Sequence, residues 1–163
     1  MIPKVINWLE TDISVALVTD AGMPCISDPG WRVVNAVRKA GFDVEIIPGA
    51  SALTAAMSTV GMDMSRVWFV GFLAKKAGKR KEILMEAMRL IDSGMATAIV
   101  LYESPMRLRQ LLEEIQTHLG GVMNVAACGE LTKQYERVIR GSTANILLEL
   151  PTEVKGEWVV VIG

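Results

Sequence analysis

Apolar residues recur along the chain with two spacings, one typical of helices and one typical of buried strands. Apolar positions three and four residues apart predict helices at 1–10, 33–40, 50–60, 79–91, 105–119 and 144–150. Short, nearly continuous apolar runs predict strands at 14–18, 44–47, 67–72, 97–102, 122–128, 138–140 and 158–162. The two kinds of element alternate along the sequence, which predicts an α/β fold.

The chain is predicted to have two domains. Its first seventy or so residues have the pattern of part of a parallel sheet covered by helices. The composition then changes at Ala74 to Lys81, where Lys or Arg occupies five of the seven positions from 75 to 81. Charged stretches of this kind are typical of exposed segments between domains. We therefore predict two α/β domains, residues 1–73 and 74–163.

The composition is that of a folded globular chain, with 51% apolar residues, 21% charged residues and a formal net charge of −1. This balance excludes disorder as the main state and provides no overall field that would attract nucleic acid, so a polyanion site requires a local basic cluster. Two cysteines and one histidine exclude a zinc-ligand set and a disulfide framework, which favours a reduced, cytoplasmic protein. No apolar run reaches ~18 residues, so we expect a soluble chain with neither a signal peptide nor a membrane span.

Two segments are candidates for chemistry, because in each an apolar strand is followed by small residues and turn formers and then by a helix. The first contains Asp20-Ala21-Gly22, and the second runs from Pro48 to Ala52. At the carboxyl edge of an open parallel sheet, such segments leave backbone and helix N–H groups accessible to a ligand. Neither has the lysine of a Walker loop or the three-glycine spacing of a dinucleotide site. Spacing alone favours ordinary turns, with Asp20 as a helix cap.

The order of motifs along the chain is more specific than either loop. The strings ALVTDAGMPCISDPG, IIPGASALTAA, FVGFLAKK, LYESPMRL, GELTKQYE, RGSTANILLEL and KGEWVVVIG occur in this order. Over nearly its whole length, the chain resembles the ribosomal RNA small subunit methyltransferase I family of the tetrapyrrole methylase superfamily. The resemblance implies two α/β domains with S-adenosylmethionine in the cleft between them, a homodimer, and methylation of the ribose 2′-hydroxyl of one cytidine in 16S rRNA.

The resemblance also implies which residues hold the cofactor. They are Asp20, Ala21, Gly22, Pro48, Gly49, Ser51, Ala52, Tyr102 and Gly141. A cationic sulfonium suits bare carbonyl edges and a carboxylate, and helix N–H groups suit the carboxylate of the methionine part, so no metal is required. For Tyr102, an aromatic ring that closes the core is an equally good interpretation.

Methyl transfer is an in-line displacement that depends mainly on the positioning of the two reactants, so a dedicated base is helpful but not required. The resemblance places Glu103, Glu130 and Lys133 in motifs where they would accept the hydroxyl proton or hold the ribose. The alternative interpretation is that these side chains are solvated caps or members of ion pairs.

A cluster of cations is a candidate contact for rRNA phosphates. It consists of Lys75, Lys76, Lys79, Arg80 and Lys81. A solvated linker between the domains explains the cluster equally well, and Arg107 and Arg137 have the same two interpretations. Cys25 is interpreted as packing filler, and His118 as a surface residue at a helix end.

The chain departs from the family pattern at its front. A strand with a Gly-Thr-Pro-Ile-Gly-Asn type turn and a strand ending in a Glu-Asp-Thr-Arg type motif have no counterpart, so roughly eighty family residues and central strands of the first sheet are expected to be missing. The basic segment after the last strand has no counterpart either. Gly129 and Met106 stand where the family has Arg and His, both good partners for phosphate or ribose. We expect an exposed apolar sheet edge that another chain or an oligomer covers.

Three functional interpretations follow. The chain is a fragment of an active methyltransferase, which the intact loops favour; or it is a diverged remnant that serves as an interaction module; or it is a small-molecule methylase that acts on tetrapyrroles. The ESP and ELTK strings favour the rRNA branch, and the sequence has no signature of an aromatic-lined cavity for a macrocycle.

Overall fold

Residues 1–120 and 123–163 are described by the computed structural model. They divide into two units, Met1–Ser51 and Ala52–Gly163. The first unit contains helices α1 (Ile2–Glu10) and α2 (Trp31–Lys39), which pack against each other. Val5 and Val37 are the buried residues of these two helices.

The end of α2 shows how the sequence determines a helix boundary. Gly41 has φ +86°, a left-handed conformation that glycine adopts without a steric penalty. The Gly41 N–H donates to the Arg38 carbonyl, and the Phe42 N–H donates to the Val37 carbonyl at 3.2 Å. This pair of hydrogen bonds is a Schellman motif, which satisfies carbonyls in the last turn of the helix. The predicted helix end at Gly41 is confirmed.

Two predicted strands of the first unit are wrong. Residues 14–18 and 44–47 form no strand, and Val18 is 81% exposed. A strand is stable only when its backbone pairs with a neighbour, and none of the described strands lies in this unit. Of the three strands predicted for the first seventy or so residues, only the strand at 67–72 forms.

The second unit contains four helices and five strands among its described residues. In chain order these are α3 (Ala52–Thr59), β1 (Val67–Phe72), α4 (Ala77–Asp92), β2 (Ala98–Glu103), α5 (Pro105–Leu119), β3 (Val125–Gly129), β4 (Arg137–Gly141), α6 (Thr143–Glu149) and β5 (Trp158–Ile162). Each of these elements was predicted, with ends that differ by a few residues. The predicted strand at 122–128 begins outside the described residues, since Val122 is not among them.

The five strands form one mixed sheet in the order β1-β2-β5-β3-β4. Strand β1 is parallel to β2, and the other neighbours are antiparallel. The central strand β5 has the sequence WVVVI and is buried along its whole length, as expected for a strand covered on both faces.

Helices cover both faces of this sheet. Apolar residues of α4, α5 and α6 form the larger core with one face, around Leu84, Leu112 and Ile146. On the other face, Ala56 and Val60 pack against alternate residues of the central strands. The predicted α/β architecture is confirmed for this unit.

The domain boundary predicted between residues 73 and 74 stays a prediction. Strand β1 lies before that boundary and β2 after it, yet the two are hydrogen-bonded neighbours in one sheet. Residues on both sides of position 73 therefore share a common core.

No helix among the described residues is both long enough and apolar enough to cross a lipid bilayer.

Candidate active site

The first predicted cofactor loop lies in the unit Met1–Ser51 and is held by its own backbone. Gly22, Cys25 and Ser27 all have φ between +59° and +72°, so the loop turns sharply between Asp20 and Gly30. The Thr19 hydroxyl donates to Asp28 Oδ2 at 2.7 Å, which connects its two ends.

Asp20 does not cap a helix, because Gly30 occupies the N-cap position of α2. Asp20, Ala21 and Gly22 are exposed, and a Cβ built at Gly22 meets no atom within 4 Å. Open space therefore lies beside the backbone of this loop.

The second predicted loop lies against the first. Pro48, Gly49 and Ala50 are exposed, and Ser51 is half-buried. A Cβ built at Gly49 would lie 3.3 Å from the sulfur of Met23 in the first loop. The unit Met1–Ser51 thus brings the two predicted cofactor loops into contact.

In the unit Ala52–Gly163, most of the predicted site residues lie at one end of the sheet. Glu103 at the end of β2 pairs with Trp158 of β5, which pairs with Gly129 of β3. Tyr102, Glu103, Glu130 and Lys133 therefore belong to this end. Their assignment as site residues stays a prediction.

Gly141 belongs to the other end of the sheet. It pairs with Val125, whereas Arg137 at the start of the same strand pairs with Gly129. The two positions are four residues apart along the strand, which is about 13 Å. The structure therefore does not bring Gly141 together with Tyr102.

Glu103 is engaged by neighbours within the fold. It is 2% exposed, and its Oε2 accepts a hydrogen bond from Arg107 Nη2 at 2.7 Å. Its Oε1 accepts from the backbone N–H of Ser104, also at 2.7 Å. Arg107 Nη2 donates in addition to the Leu73 carbonyl at 3.0 Å. This geometry favours the ion-pair interpretation of Glu103, and it differs from both interpretations of Arg107, which is held within the fold.

Lys133 is the centre of a more exposed cluster. Its Nζ lies 3.1 Å from Glu130 Oε1 and 3.2 Å from Glu157 Oε2. The backbone of Glu157 takes part, since its N–H donates to Glu130 Oε1 at 3.0 Å and its carbonyl accepts from the Glu130 N–H at 3.1 Å. The cluster therefore joins the β3–β4 connection to the segment before β5.

The charges of this cluster stabilise one another. The backbone N–H of Glu157 and the ammonium of Lys133 lower the pKa of Glu130, because both favour its carboxylate form. Hydrogen bonds from Lys133 to Glu130 and Glu157 raise the pKa of the lysine. Lys133 is consequently a permanent cation at neutral pH, able to hold an oxygen atom but not to accept a proton.

The backbone of the Lys133 cluster is strained at two residues. Glu130 and Thr132 have φ of +49° and +64°, in the left-handed region that side-chain-bearing residues rarely adopt. The Thr132 N–H donates to Glu136 Oε2 at 2.6 Å, which closes the turn. Such strain persists only where surrounding contacts impose it, and it is often found at functional sites.

Gly156 provides the space for the Glu130 carboxylate. Gly156 has φ +76°, and a Cβ built there would overlap with Glu130 Oε1. Any side chain at this position would displace the carboxylate that anchors Lys133.

A small hollow of about 30 Å³ adjoins the cluster. It is lined by Ala52, Cys128, Glu130, Leu131, Lys133, Glu157 and Val159. The structure thus brings together one predicted cofactor residue, Ala52, and two predicted catalytic residues. Burial raises the pKa of Cys128 to about 11, so this thiol is neither a base nor a nucleophile at neutral pH.

Sequence reasoning missed Glu157 as a member of the cluster. Its signal was present, because Glu157 lies in the string KGEWVVVIG. What the sequence did not provide was the pairing that places this string beside GELTKQYE.

One cation of the basic cluster is buried and paired within the fold, and the others are exposed. Arg80 is 5% exposed and binds Glu114 through two hydrogen bonds, of which Nε to Oε2 is 2.8 Å. The pair raises the pKa of Arg80 and lowers that of Glu114. Arg80 is therefore not free to bind phosphate, which corrects its inclusion in the cluster. The exposed members are Lys75, Lys76, Lys79 and Lys81.

The remaining candidates have no assigned chemistry. Arg137 is exposed, and His118 is half-buried in the last turn of α5. Cys25 is half-buried, and its sulfur would lie 3.0 Å from a Cβ built at Gly30, as expected for a packed side chain. Among residues 1–120 and 123–163, no three His, Cys, Asp or Glu side chains converge as metal ligands would.

Comparison with known proteins connects this geometry to a family. Residues 5–147 match the model of the Tetrapyrrole (Corrin/Porphyrin) Methylases. The chain is 38% identical to "Ribosomal RNA small subunit methyltransferase I" of Hydrogenobaculum, over 99% of this chain and 68% of that protein. Other relatives with this name are matched over as little as 53% of their length, so the chain spans between about half and two thirds of the proteins it matches.

Two solved structures have the same fold. One is a cobalt precorrin-4 methyltransferase, with a TM-score of 0.68 at 14% identity, covering 100% of this chain and 69% of that one. The other is uroporphyrin-III C-methyltransferase from Thermus thermophilus in complex with S-adenosyl homocysteine, with a TM-score of 0.54 at 17% identity, covering 87% and 62%. The match to the family model and the 38% identity together show that the chain belongs to the ribosomal RNA small subunit methyltransferase I family of the tetrapyrrole methylases.

Proposed function

We propose that this chain is the greater part of a methyltransferase that uses S-adenosylmethionine to methylate small-subunit rRNA, at a ribose 2′-hydroxyl. The observation that carries the proposal is the 38% identity to an rRNA methyltransferase over 99% of the chain. The exposed loops of the first unit and the Lys133 cluster of the second support the proposal, because they offer groups suited to the cofactor and to a developing negative charge.

The paired loops are suited to the cofactor. Asp20 provides an exposed carboxylate, and a Cβ at Gly22 would meet no atom within 4 Å, so the backbone there is accessible. S-adenosylmethionine supplies a methyl group on a cationic sulfur, which a carboxylate and carbonyl oxygens stabilise. A relative of the same fold was solved with S-adenosyl homocysteine, which supports this choice of cofactor.

Lys133 is assigned to the ribose. A fixed cation stabilises the negative charge that develops on the 2′-oxygen as its proton passes to solvent water. That oxygen takes the methyl group as the bond between methyl and sulfur breaks, and S-adenosyl homocysteine leaves. Glu130 and Glu157 hold the ammonium in place, and the lowering of the pKa of Glu130 makes this residue a better anchor than proton acceptor. Glu103 is assigned to the fold through its buried pair with Arg107.

Two measurements test the proposal. Calorimetry should detect binding of S-adenosylmethionine to the purified chain, and 30S particles incubated with chain and labelled cofactor should acquire methyl groups. Folded protein that gives no heat with the cofactor would instead favour the remnant that serves as an interaction module. Transfer to a tetrapyrrole but not to 30S particles would favour the small-molecule branch.

The partners and location follow from this proposal. The substrate is 16S rRNA in the small ribosomal subunit, which places the protein in the cytoplasm. A homodimer, expected from the family resemblance, stays a prediction that sedimentation of the purified chain tests.

A further inference from the structure

We propose that Phe72 and the lysines after it form a contact for single-stranded RNA, in which an unstacked base lies on the Phe72 ring and Lys75 and Lys76 bind backbone phosphates. The inference rests on the proposed function, since it names where the RNA substrate meets this chain. Aromatic rings beside free cations are the usual means by which proteins hold single strands.

A β-bulge exposes the ring. The pairing of β1 with β2 shifts between Phe69 and Gly71, and Gly71 has φ +72°. Phe69 and Phe72 are three residues apart and would lie on opposite faces of a regular strand. The bulge turns Phe72 to the face of Tyr102, where the ring centroids of Phe69 and Phe72 lie 5.0 and 5.5 Å from that of Tyr102.

Phe72 is the open member of this aromatic group. It is 58% exposed, whereas Phe69 and Tyr102, on the same face of the sheet, are half-buried. Tyr102 supports the Phe72 ring from one side and leaves much of its surface accessible to a planar partner. An exposed aromatic ring with a fixed orientation loses little side-chain entropy when a base stacks on it.

Hydrogen bonds from two arginine side chains hold the backbone of the segment after Phe72. Arg107 donates to the Leu73 carbonyl at 3.0 Å, and Arg80 Nη1 donates to the carbonyls of Ala74 and Lys75 at 3.4 and 2.5 Å. Both arginines are themselves paired with carboxylates, Glu103 and Glu114. The two arginines therefore anchor the backbone from Leu73 to Lys75 beside the end of β1.

The positive charge around Lys75 and Lys76 favours a polyanionic partner. No acidic residue occurs from Met64 to Lys81. Within the portion of the chain that the structure covers, Lys75 and Lys76 are exposed and form no ion pair. A purely apolar partner would offer these cations no anionic group, whereas an RNA strand offers phosphates and bases at alternating positions.

Anisotropy of a labelled single-stranded RNA of about 12 nucleotides tests the contact, because such a strand matches the site size of small single-strand binders. Phe72→Leu should weaken binding about fivefold or more, since loss of one stacked base is worth ~1–3 kcal/mol. The matched control is Leu148→Ala, which removes an exposed apolar side chain from α6 and should leave binding unchanged.

The salt dependence tests the lysines separately. Replacing both Lys75 and Lys76 with Ala should reduce the slope of log K against log salt by about 1.4, or ~0.7 for each phosphate that is no longer neutralised. Lys39→Ala, a change at an exposed lysine of α2, should leave the slope unaltered.

Three results would overturn the inference: equal binding by Phe72→Leu and the unmodified chain, an unchanged slope for the double lysine variant, or a Phe72→Leu effect on self-association in sedimentation with none on RNA. Cofactor calorimetry on the same samples separates failure of the RNA contact from failure of the proposed function. Loss of RNA binding in Phe72→Leu with no cofactor binding in any sample would support the contact and contradict the methyltransferase.

Discussion

At the scale of single residues, Lys133 depends on a partner that is distant in the sequence. Glu157 lies 24 residues after it, yet its carboxylate is as close as that of Glu130. The string containing Lys133 identified this lysine as a candidate, because a basic residue in a recognisable motif is visible in the sequence. Its second anchor was not visible, since only the pairing of β3 with β5 brings the two segments together.

Glu157→Gln should lower methyl transfer about two- to fivefold, the effect of losing one partly exposed ion pair worth ~0.4–1 kcal/mol. The change keeps the shape of the side chain but removes the charge that contributes to the raised pKa of Lys133. Initial rates on 30S particles measure this, with Glu153→Gln, a carboxylate in an exposed pair with Lys155, as control. Equal rates for the two variants would contradict the assignment of Glu157.

Gly156→Ala should lower both stability and activity. The left-handed backbone costs any alanine about 1 kcal/mol, and the new methyl group also displaces the Glu130 carboxylate. Gly94→Ala is the matched control, because Gly94 has φ +69° and a Cβ there meets no atom within 4 Å. Both variants should lose similar stability in urea, whereas only Gly156→Ala should lose methyl transfer. Equal activity in the two variants would count against the role of Gly156.

At the scale of elements, the predictions succeeded where a strand has neighbours. The runs at 67–72, 97–102 and 158–162 are strands in one sheet, whereas those at 14–18 and 44–47 are not. Both sets are mostly apolar in the sequence. An apolar run indicates a segment able to form a strand, but the hydrogen-bonding partner decides the outcome, and the pattern contains no information on the partner.

The connection between β1 and α4 depends on the pair of Arg80 with Glu114. Because the pKa of Glu114 is lowered in the folded state, the pair stabilises the fold above the unfolded carboxyl pKa and loses this effect as the pH falls through the folded value. Glu114→Gln should therefore lose about 3 kcal/mol at neutral pH and much less near pH 3. Urea unfolding at both pH values measures this, with the exposed Glu86→Gln as control. A loss of equal size at both pH values would show that charge is not its cause.

At the scale of the whole molecule, the two units differ in how their backbones are held. The described strands all lie in Ala52–Gly163, and the connections of Met1–Ser51 have no ladder hydrogen bonds. Hydrogen exchange followed by mass spectrometry should show amides of 14–18 and 44–47 exchanging orders of magnitude sooner than those of β5. Slow exchange in these two segments would reveal pairing that the structure does not contain.

The central strand of the sheet is the last of its strands in the sequence. Strand β5 follows the other four strands in sequence, but it lies between β2 and β3 and hydrogen-bonds to both. As the chain leaves the ribosome, the β1–β2 pair and the β3–β4 pair emerge first, and each has an open apolar edge until β5 arrives. Completion of the sheet is thus delayed until residues 158–162 have been synthesised, and until then each strand pair lacks the neighbour that buries its inner edge.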